Sequence, residues 1–163
     1  MKNSKLVNIL ERFSTVELNR LESFIRFSFS NKRKKCLELF REIRKDAPKF
    51  ERITSEKLMQ KLYPGPASEK TMKADLSNLL KQVEEFIVYT KLHDNELLKQ
   101  SLLLEGLVEM GELKHFESCY NKYFKKLEAT DEIGSDHYYY RYRFQAAHWL
   151  SLIHISEPTR RYS

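Results

Sequence analysis

The chain reads as all-α: an antiparallel helical bundle leading into helical hairpins of the solenoid type. Three observations predict this. Apolar residues recur three and four apart along most of the chain, and no segment sustains period-two alternation with β-branched residues. Hydroxyl residues stand where helices would begin, and Gly or Pro stands where they would stop. Only four glycines and four prolines occur in 163 residues, which excludes collagen-like and low-complexity chains. Short connections between long helices then make sequential helices antiparallel neighbours.

Leu6, Val7, Leu10 and Phe13 predict a short first helix. Ser14-Thr-Val-Glu17 is a capping box, in which the Ser14 hydroxyl accepts from the Glu17 amide while the Glu17 carboxylate reaches back. Phe13 and Leu18 occupy the staple positions around it. The second helix spans about residues 15–29, with Leu18, Leu21, Phe24, Ile25 and Phe27 apolar. Ser30 caps a third helix over 31–45, whose stripe is Cys36, Leu37, Phe40 and Ile43. Asp46-Ala-Pro48 ends it, because a residue before proline disfavours the helical region. Thr54 caps a fourth helix, with Ile53 and Leu58 at staple spacing, and Tyr63-Pro-Gly-Pro66 stops it.

Ser68 caps the longest helix, over 69–91, roughly 33 Å at ~1.5 Å per residue. Its stripe is Met72, Leu76, Leu79, Leu80, Val83, Phe86 and Ile87. A sixth helix over 95–110 uses Leu98 and Leu102 and ends at Gly111, a residue suited to the left-handed position after a helix. The seventh, over 112–129, carries Leu113, Phe116, Tyr120, Tyr123, Phe124 and Leu127. Gly134-Ser135 marks a turn before an aromatic eighth helix with Tyr138, Tyr139, Tyr140, Tyr142, Phe144 and Trp149. Tyr138, Tyr142 and Trp149 fall near one side and are expected to face a core with wet hydroxyl tips. Residues 1–91 are thus expected to form the bundle, and 92–149 the start of a hairpin-repeat region.

Two resemblances refine this picture. Met110-Gly-Glu-Leu-Lys-His-Phe116 resembles the Gly-centred turn of tetratricopeptide hairpins, with Phe116 where those repeats place a small residue. Phe13-Ser-x-x-Glu17 with Phe24, Asn31-Lys-Arg-Lys and Leu39-Phe40 forms one familiar stretch. Leu62-Tyr-Pro-Gly-Pro66, Met72, Leu76, Leu79-Leu80 and Glu84-Glu-Phe86 form another. Together they resemble a group of long, uncharacterised, all-helical bacterial proteins with tandem helical hairpins. That group usually has a Ser-Pro-Tyr-Phe-Asn turn where this chain has Ser28-Phe-Ser-Asn31. The resemblance implies a helical architecture and a longer parent protein. It implies no catalytic residue, ligand or partner.

The string from Leu150 to Arg160, Leu-Ser-Leu-Ile-His-Ile-Ser-Glu-Pro-Thr-Arg, is similar to the in-frame translation of a transposon-based sequencing-library adapter. The match runs through every residue of the string. Arg161 also has codons starting with C, as the adapter's last base requires. Residues 150–163 are therefore expected to be a non-native tail and 1–149 a truncated fragment of the longer protein. His154, Glu157 and Arg160 enter no site, as with any fusion scar.

Charge is concentrated at the front. Residues 1–45 hold 12 basic and 5 acidic residues, net +7, whereas 46–149 hold 15 and 17, net −2. Such asymmetry points to a nucleic-acid, membrane-surface or acidic-protein partner, or only to a solvated helix face. No apolar run approaches the ~18 residues of a membrane span. The opening Met-Lys-Asn-Ser-Lys lacks the apolar stretch of a secretory signal. A cytoplasmic location is expected, with Cys36 and Cys119 as reduced thiols.

Motifs for chemistry are sparse. His93, His115, His137, His148, Cys36 and Cys119 show no metal-ligand spacing beyond His115 and Cys119 at i, i+4, and zinc needs three or four ligands. There is no GxSxG, no phosphate-cradling glycine loop, and no cysteine-nucleophile signature. Glu84-Glu85 and Glu105/Glu109 pair carboxylates, and Glu112-Leu-Lys-His115 is a single Glu-x-x-His where di-iron bundles need two. The expectation is a non-enzyme without cofactor or metal.

Three features bear on partners. Tyr138-Tyr-Tyr-Arg-Tyr-Arg-Phe144 could stack single-stranded bases, although a packed aromatic face explains it as well. Residues 55–91 have a helix-turn-helix outline, but its connection and second helix are long, and Lys70, Lys73, Ser77 and Lys81 lack base-reading Arg, Asn or Gln. The third helix carries Lys32-Arg-Lys-Lys35. On it Lys34, Arg41 and Lys45 line up opposite the apolar stripe, flanked by Arg33 and Arg44. Four cations at a helix N-terminus oppose the macrodipole, which marks Arg33, Lys34, Arg41, Arg44 and Lys45 as the candidate surface for an anionic partner. The expected function is a non-catalytic intracellular helical module that binds other proteins. The alternative is a nucleic-acid-associated protein using the basic third helix or the divergent helix-turn-helix.

Overall fold

A computed structural model of the chain describes residues 4–27, 33–63, 69–130 and 134–156, with side chains except at 33 and 154–156. Among the described residues there are eight α-helices and no strand. They are α1 (Lys5–Leu10), α2 (Thr15–Phe27), α3 (Arg33–Arg44), α4 (Ser55–Leu62), α5 (Glu69–Asp94), α6 (Glu96–Glu109), α7 (Leu113–Glu128) and α8 (Ser135–Ser156). None of the described helices is long and apolar enough to cross a membrane. The chain divides into two compact units, Met1–Thr90 and Lys91–Ser163.

The first unit is built from capped, amphipathic helices. Ser4 caps α1 by accepting from the Val7 amide at 3.3 Å. The capping box of α2 is complete. The Glu17 amide donates to Ser14 Oγ at 3.2 Å, and the Ser14 amide donates to Glu17 Oε2 at 2.7 Å. The Ser14 hydroxyl and amide hold the Glu17 carboxyl below the usual carboxylate range. Thr54 caps α4 through the Lys57 amide at 3.3 Å. Ser30 and Ser68, expected to cap α3 and α5, and the prolines after Tyr63 lie outside the described residues.

The core of this unit gathers Leu6, Val7 and Leu10 of α1, Leu18, Leu21 and Ile25 of α2, and Cys36, Leu39, Phe40 and Ile43 of α3. Leu39, rather than the expected Leu37, completes the buried face of α3, because 36, 39/40 and 43 share one helical seam. Asp46 then turns the chain by accepting from the amides of Arg52 and Ile53. Phe50 adopts the left-handed region there (φ 46°) with its ring in the core. At the end of α4 the Tyr63 hydroxyl donates to Asp75 Oδ2 at 2.9 Å in a buried contact. Burial and that carboxylate push the phenol well above its ordinary value. Lys35 lies 4.4 Å over the Tyr63 ring and donates to the Leu62 carbonyl at 2.8 Å, satisfying an orphan acceptor of the helix end. α5 outruns its expected end by three residues, to Asp94.

The second unit packs α6, α7 and α8 around Leu104, Leu107, Val108, Phe116, Leu127, Tyr140, Phe144 and Ala147. Asn95 caps α6 through the Leu98 amide at 2.9 Å, and its side-chain amide donates to the Tyr140 hydroxyl at 2.9 Å. Gly111, at φ 74°, closes α6 in a Schellman motif. Its amide donates to the Val108 carbonyl at 3.0 Å, and the Glu112 amide donates to the Leu107 carbonyl at 2.9 Å. α7 runs against α8: Glu128 meets Arg141 at 3.1 Å near one end, and Tyr120 stacks on His148 at 4.6 Å toward the other. Phe116, the departure from the tetratricopeptide pattern, is buried and stacks on Tyr120.

The buried face of α8 differs from the expected one. It is His137, Tyr140, Phe144, Ala147 and Ser151, while Tyr138, Tyr142 and Trp149 are 60%, 70% and 68% exposed. The physical reason is the composition of the two seams. The first passes through Ala147 and Ser151, whose small side chains admit close helix contact, whereas the second passes through the polar Gln145. α8 continues without a break across residue 150, and Ser151 donates its hydroxyl to the His148 carbonyl at 2.7 Å.

Candidate interaction surfaces

The cations singled out on α3 are largely tied to carboxylates. Glu22, projecting from α2, accepts from Arg41 Nε at 2.9 Å and from Arg44 Nη1 at 2.7 Å. The Arg44 guanidinium also donates to Asn19 Oδ1. Glu42 accepts from Lys45, and from Lys61 of α4 at 2.7 Å. Lys35 pairs with Glu38 at 3.3 Å. Burial works to raise the Glu22 carboxyl, but Arg41 and Arg44 outweigh it and hold it below the usual range. Hydrogen bonds from Lys45 and Lys61 do the same for Glu42. Lys34 is exposed, with no carboxylate partner among the described residues, and the side chain of Arg33 lies outside them. Three of the five expected cations, Arg41, Arg44 and Lys45, thus stand in a network in which Glu22 and Glu42 link α2, α3 and α4.

Other candidates fall as follows. His115 Nε2 and Cys119 Sγ approach to 3.8 Å, but among the described residues no group of three or more His, Cys, Asp or Glu is placed to hold a metal ion. Glu105 accepts both Nε (3.1 Å) and Nη2 (2.6 Å) of Arg143. In the helix-turn-helix outline α4 has 8 residues and α5 has 26, and Lys73 is paired with Glu69 at 2.7 Å. His137 and His148 sit in the second unit, each with Nδ1 buried and unpaired among the described residues.

Among the described residues, two surfaces present several aromatic side chains. One is the outer side of α8, where Tyr138, Tyr142 and Trp149 stand in line. The other was not marked in the sequence: a groove between α2 and α5 lined by Asn19, Arg20, Ser23, Phe24, Phe27, Asn78, Lys81, Gln82, Glu85, Phe86 and Tyr89. Phe24 packs 5.6 Å from Phe86 and 5.3 Å from Tyr89, forming its aromatic floor. The available signal was Phe27 and Tyr89, aromatics lying off the main stripes of their helices. Compared with models of known protein families, with curated proteins and with solved structures, the chain has no match.

Proposed function

We propose that the chain is a non-catalytic helical module that binds other proteins, with its second unit built as a solenoid-type, tetratricopeptide-like set of hairpins. One observation carries this reading: the aromatic line Tyr138, Tyr142 and Trp149 on the solvent side of α8, opposite its buried seam. Large aromatics in line on a solvent face form the kind of exposed patch that marks an interaction site. Tyr and Trp are the side chains that protein interfaces concentrate at their centres, because they bury large area for little conformational entropy. The alternating network on α3 favours the same reading, since Arg41, Arg44 and Lys45 already have anionic partners. Among the described side chains of that helix the nucleic-acid reading keeps Lys34, and a single phosphate contact gives only weak, non-specific affinity.

The test places a photo-crosslinking amino acid at Tyr142 in the full chain expressed in cells, with an exposed α7 position, Glu117, as control. The expected result is a Tyr142 adduct that protease removes and nuclease does not, and that is absent from the control. A nuclease-sensitive adduct, or none above control, would overturn the proposal.

A further inference from the structure

The groove between α2 and α5 has features that the outer face of α8 lacks. Its cavity is about 1010 Å³, at the top of the ~300–1,000 Å³ range of small-molecule pockets, and it lies open between two helices. Its lining runs from Asn19 to Phe27 on α2 and from Asn78 to Tyr89 on α5, roughly 12 and 16 Å at ~1.5 Å per residue. That length accommodates two to three turns of a further helix. Phe27 stands at its end, 75% exposed, beside the Phe24–Phe86–Tyr89 floor.

Its charges are unlike those of α3. Arg20 on one wall and Lys81 on the other are exposed, and neither has a carboxylate within salt-bridge distance among the described residues. Among the described residues Glu85 is the single acidic side chain lining the groove, and it accepts from Gln82 Nε2 at 2.9 Å. Gln82 is only 6% exposed, and its Oε1 is buried with no donor among the described residues. An unmet buried acceptor is costly. The soft terminal torsion of Gln lets a small rotation offer that oxygen to an incoming donor. An apolar trough flanked by two exposed cations complements an amphipathic helix flanked by carboxylates, the helix-in-groove mode of recognition.

We propose that this groove receives an acidic amphipathic helical segment of a partner protein, with Phe24, Phe27, Phe86 and Tyr89 taking its apolar face and Arg20 and Lys81 its flanking carboxylates. The inference rests on the reading of the chain as a protein-binding module and names a second face for it.

The experiment uses the full chain and two fluorescein-labelled probe peptides of about 14 residues, near the length at which an isolated helix becomes populated. Both carry Leu at i, i+4 and i+7; one has Glu on the flanks and the other Lys. Anisotropy should show binding of the Glu peptide and at least ~10-fold weaker binding of the Lys peptide, a difference of about 1.4 kcal/mol. The double variant Arg20→Glu, Lys81→Glu should invert that preference, and Phe27→Ala should weaken the Glu peptide about fivefold or more. All three substituted side chains are exposed, and circular dichroism checks that the fold is kept. Equal binding of both peptides, no binding of either, failure of the charge swap to invert the preference, or tighter binding of oligothymidylate than of the Glu peptide would each overturn the proposal. Loss of peptide binding alongside a protease-sensitive Tyr142 adduct retires the groove alone; loss of that adduct retires the wider reading.

Discussion

In the Met1–Thr90 unit, α3 turns Cys36, Leu39, Phe40 and Ile43 inward and holds its cations against Glu22 and Glu42. In the Lys91–Ser163 unit, α8 buries Tyr140, Phe144 and Ala147 and leaves Tyr138, Tyr142 and Trp149 in water. The polar bookkeeping differs too. Within the described residues, Gln82 Oε1 is the unpaired buried side-chain atom of the first unit, whereas Gln100 Oε1, Ser101 Oγ, His137 Nδ1 and His148 Nδ1 are those of the second. The difference teaches how to read a helix that lacks a polar side. α3 has one apolar face, which is buried, and one charged face, on which Arg41 and Arg44 are met by Glu22. α8 packs one seam and leaves the aromatic line Tyr138, Tyr142 and Trp149 over, and that leftover face is the one we propose for a partner.

The sharpest way to break this comparison is to empty one core and watch the other. Phe144→Ala removes a fully buried ring from the second unit and should cost about 3–5 kcal/mol. Hydrogen exchange should show α6–α8 losing protection while α2 and α3 keep theirs; loss in both would mean the units do not fold separately. A smaller effect is expected at the helix starts. Asn95→Ala deletes both the α6 cap and the bond to Tyr140, and should cost about 1–2 kcal/mol. Ser14→Ala removes a cap alone and should cost about 1 kcal/mol. Chemical denaturation of the two variants checks that order.

Much of the first unit was legible in its residues. Ser14 and Glu17 are three apart, and that spacing permits a reciprocal pair of bonds in one geometry only. Gly111 was legible because a left-handed residue after a helix is cheap only for Gly. What could not be read was long-range. The partners of Arg41 and Arg44 come from Glu22, in another helix, and no local pattern announces that pairing. The phase of α8 is not legible from its large residues because aromatics occur all round the helix; the small residues Ala147 and Ser151 mark the packed seam. The α2–α5 groove has no local signature because it depends on residues some fifty or more apart in sequence lining one trough.

Two smaller effects sharpen the polar side of the comparison. Gln100→Leu exchanges an amide with a buried unpaired oxygen for an apolar group of similar size, and should raise stability by up to about 1 kcal/mol. A shifted thermal midpoint checks it. Acid should act more on the first unit. Glu22 and Glu42 are held below the ordinary carboxylate value in the folded chain, so their ionised forms stabilise it at neutral pH. That contribution is lost as pH falls through the ordinary carboxylate range toward the lowered values. It amounts to under about 1 kcal/mol for each of these partly solvated pairs. Exchange protection of α2 and α3 should therefore fall more steeply with acid than that of α6–α8.

On the function proposed above, the cations of α3 belong to a carboxylate-tied network rather than to an open polyanion site. Salt-dependent binding of a mixed-sequence DNA duplex tests it most directly, comparing the unaltered chain with the double variant Glu22→Gln, Glu42→Gln. Removing the two carboxylates frees Arg41, Arg44 and Lys45 to join Lys34. The expected result is no binding of the unaltered chain at micromolar duplex near physiological salt. The variant should bind, with a slope of log K against log salt of roughly −3 to −4 for four phosphate contacts. An unaltered chain that binds as tightly as the variant, with that same slope, would contradict it.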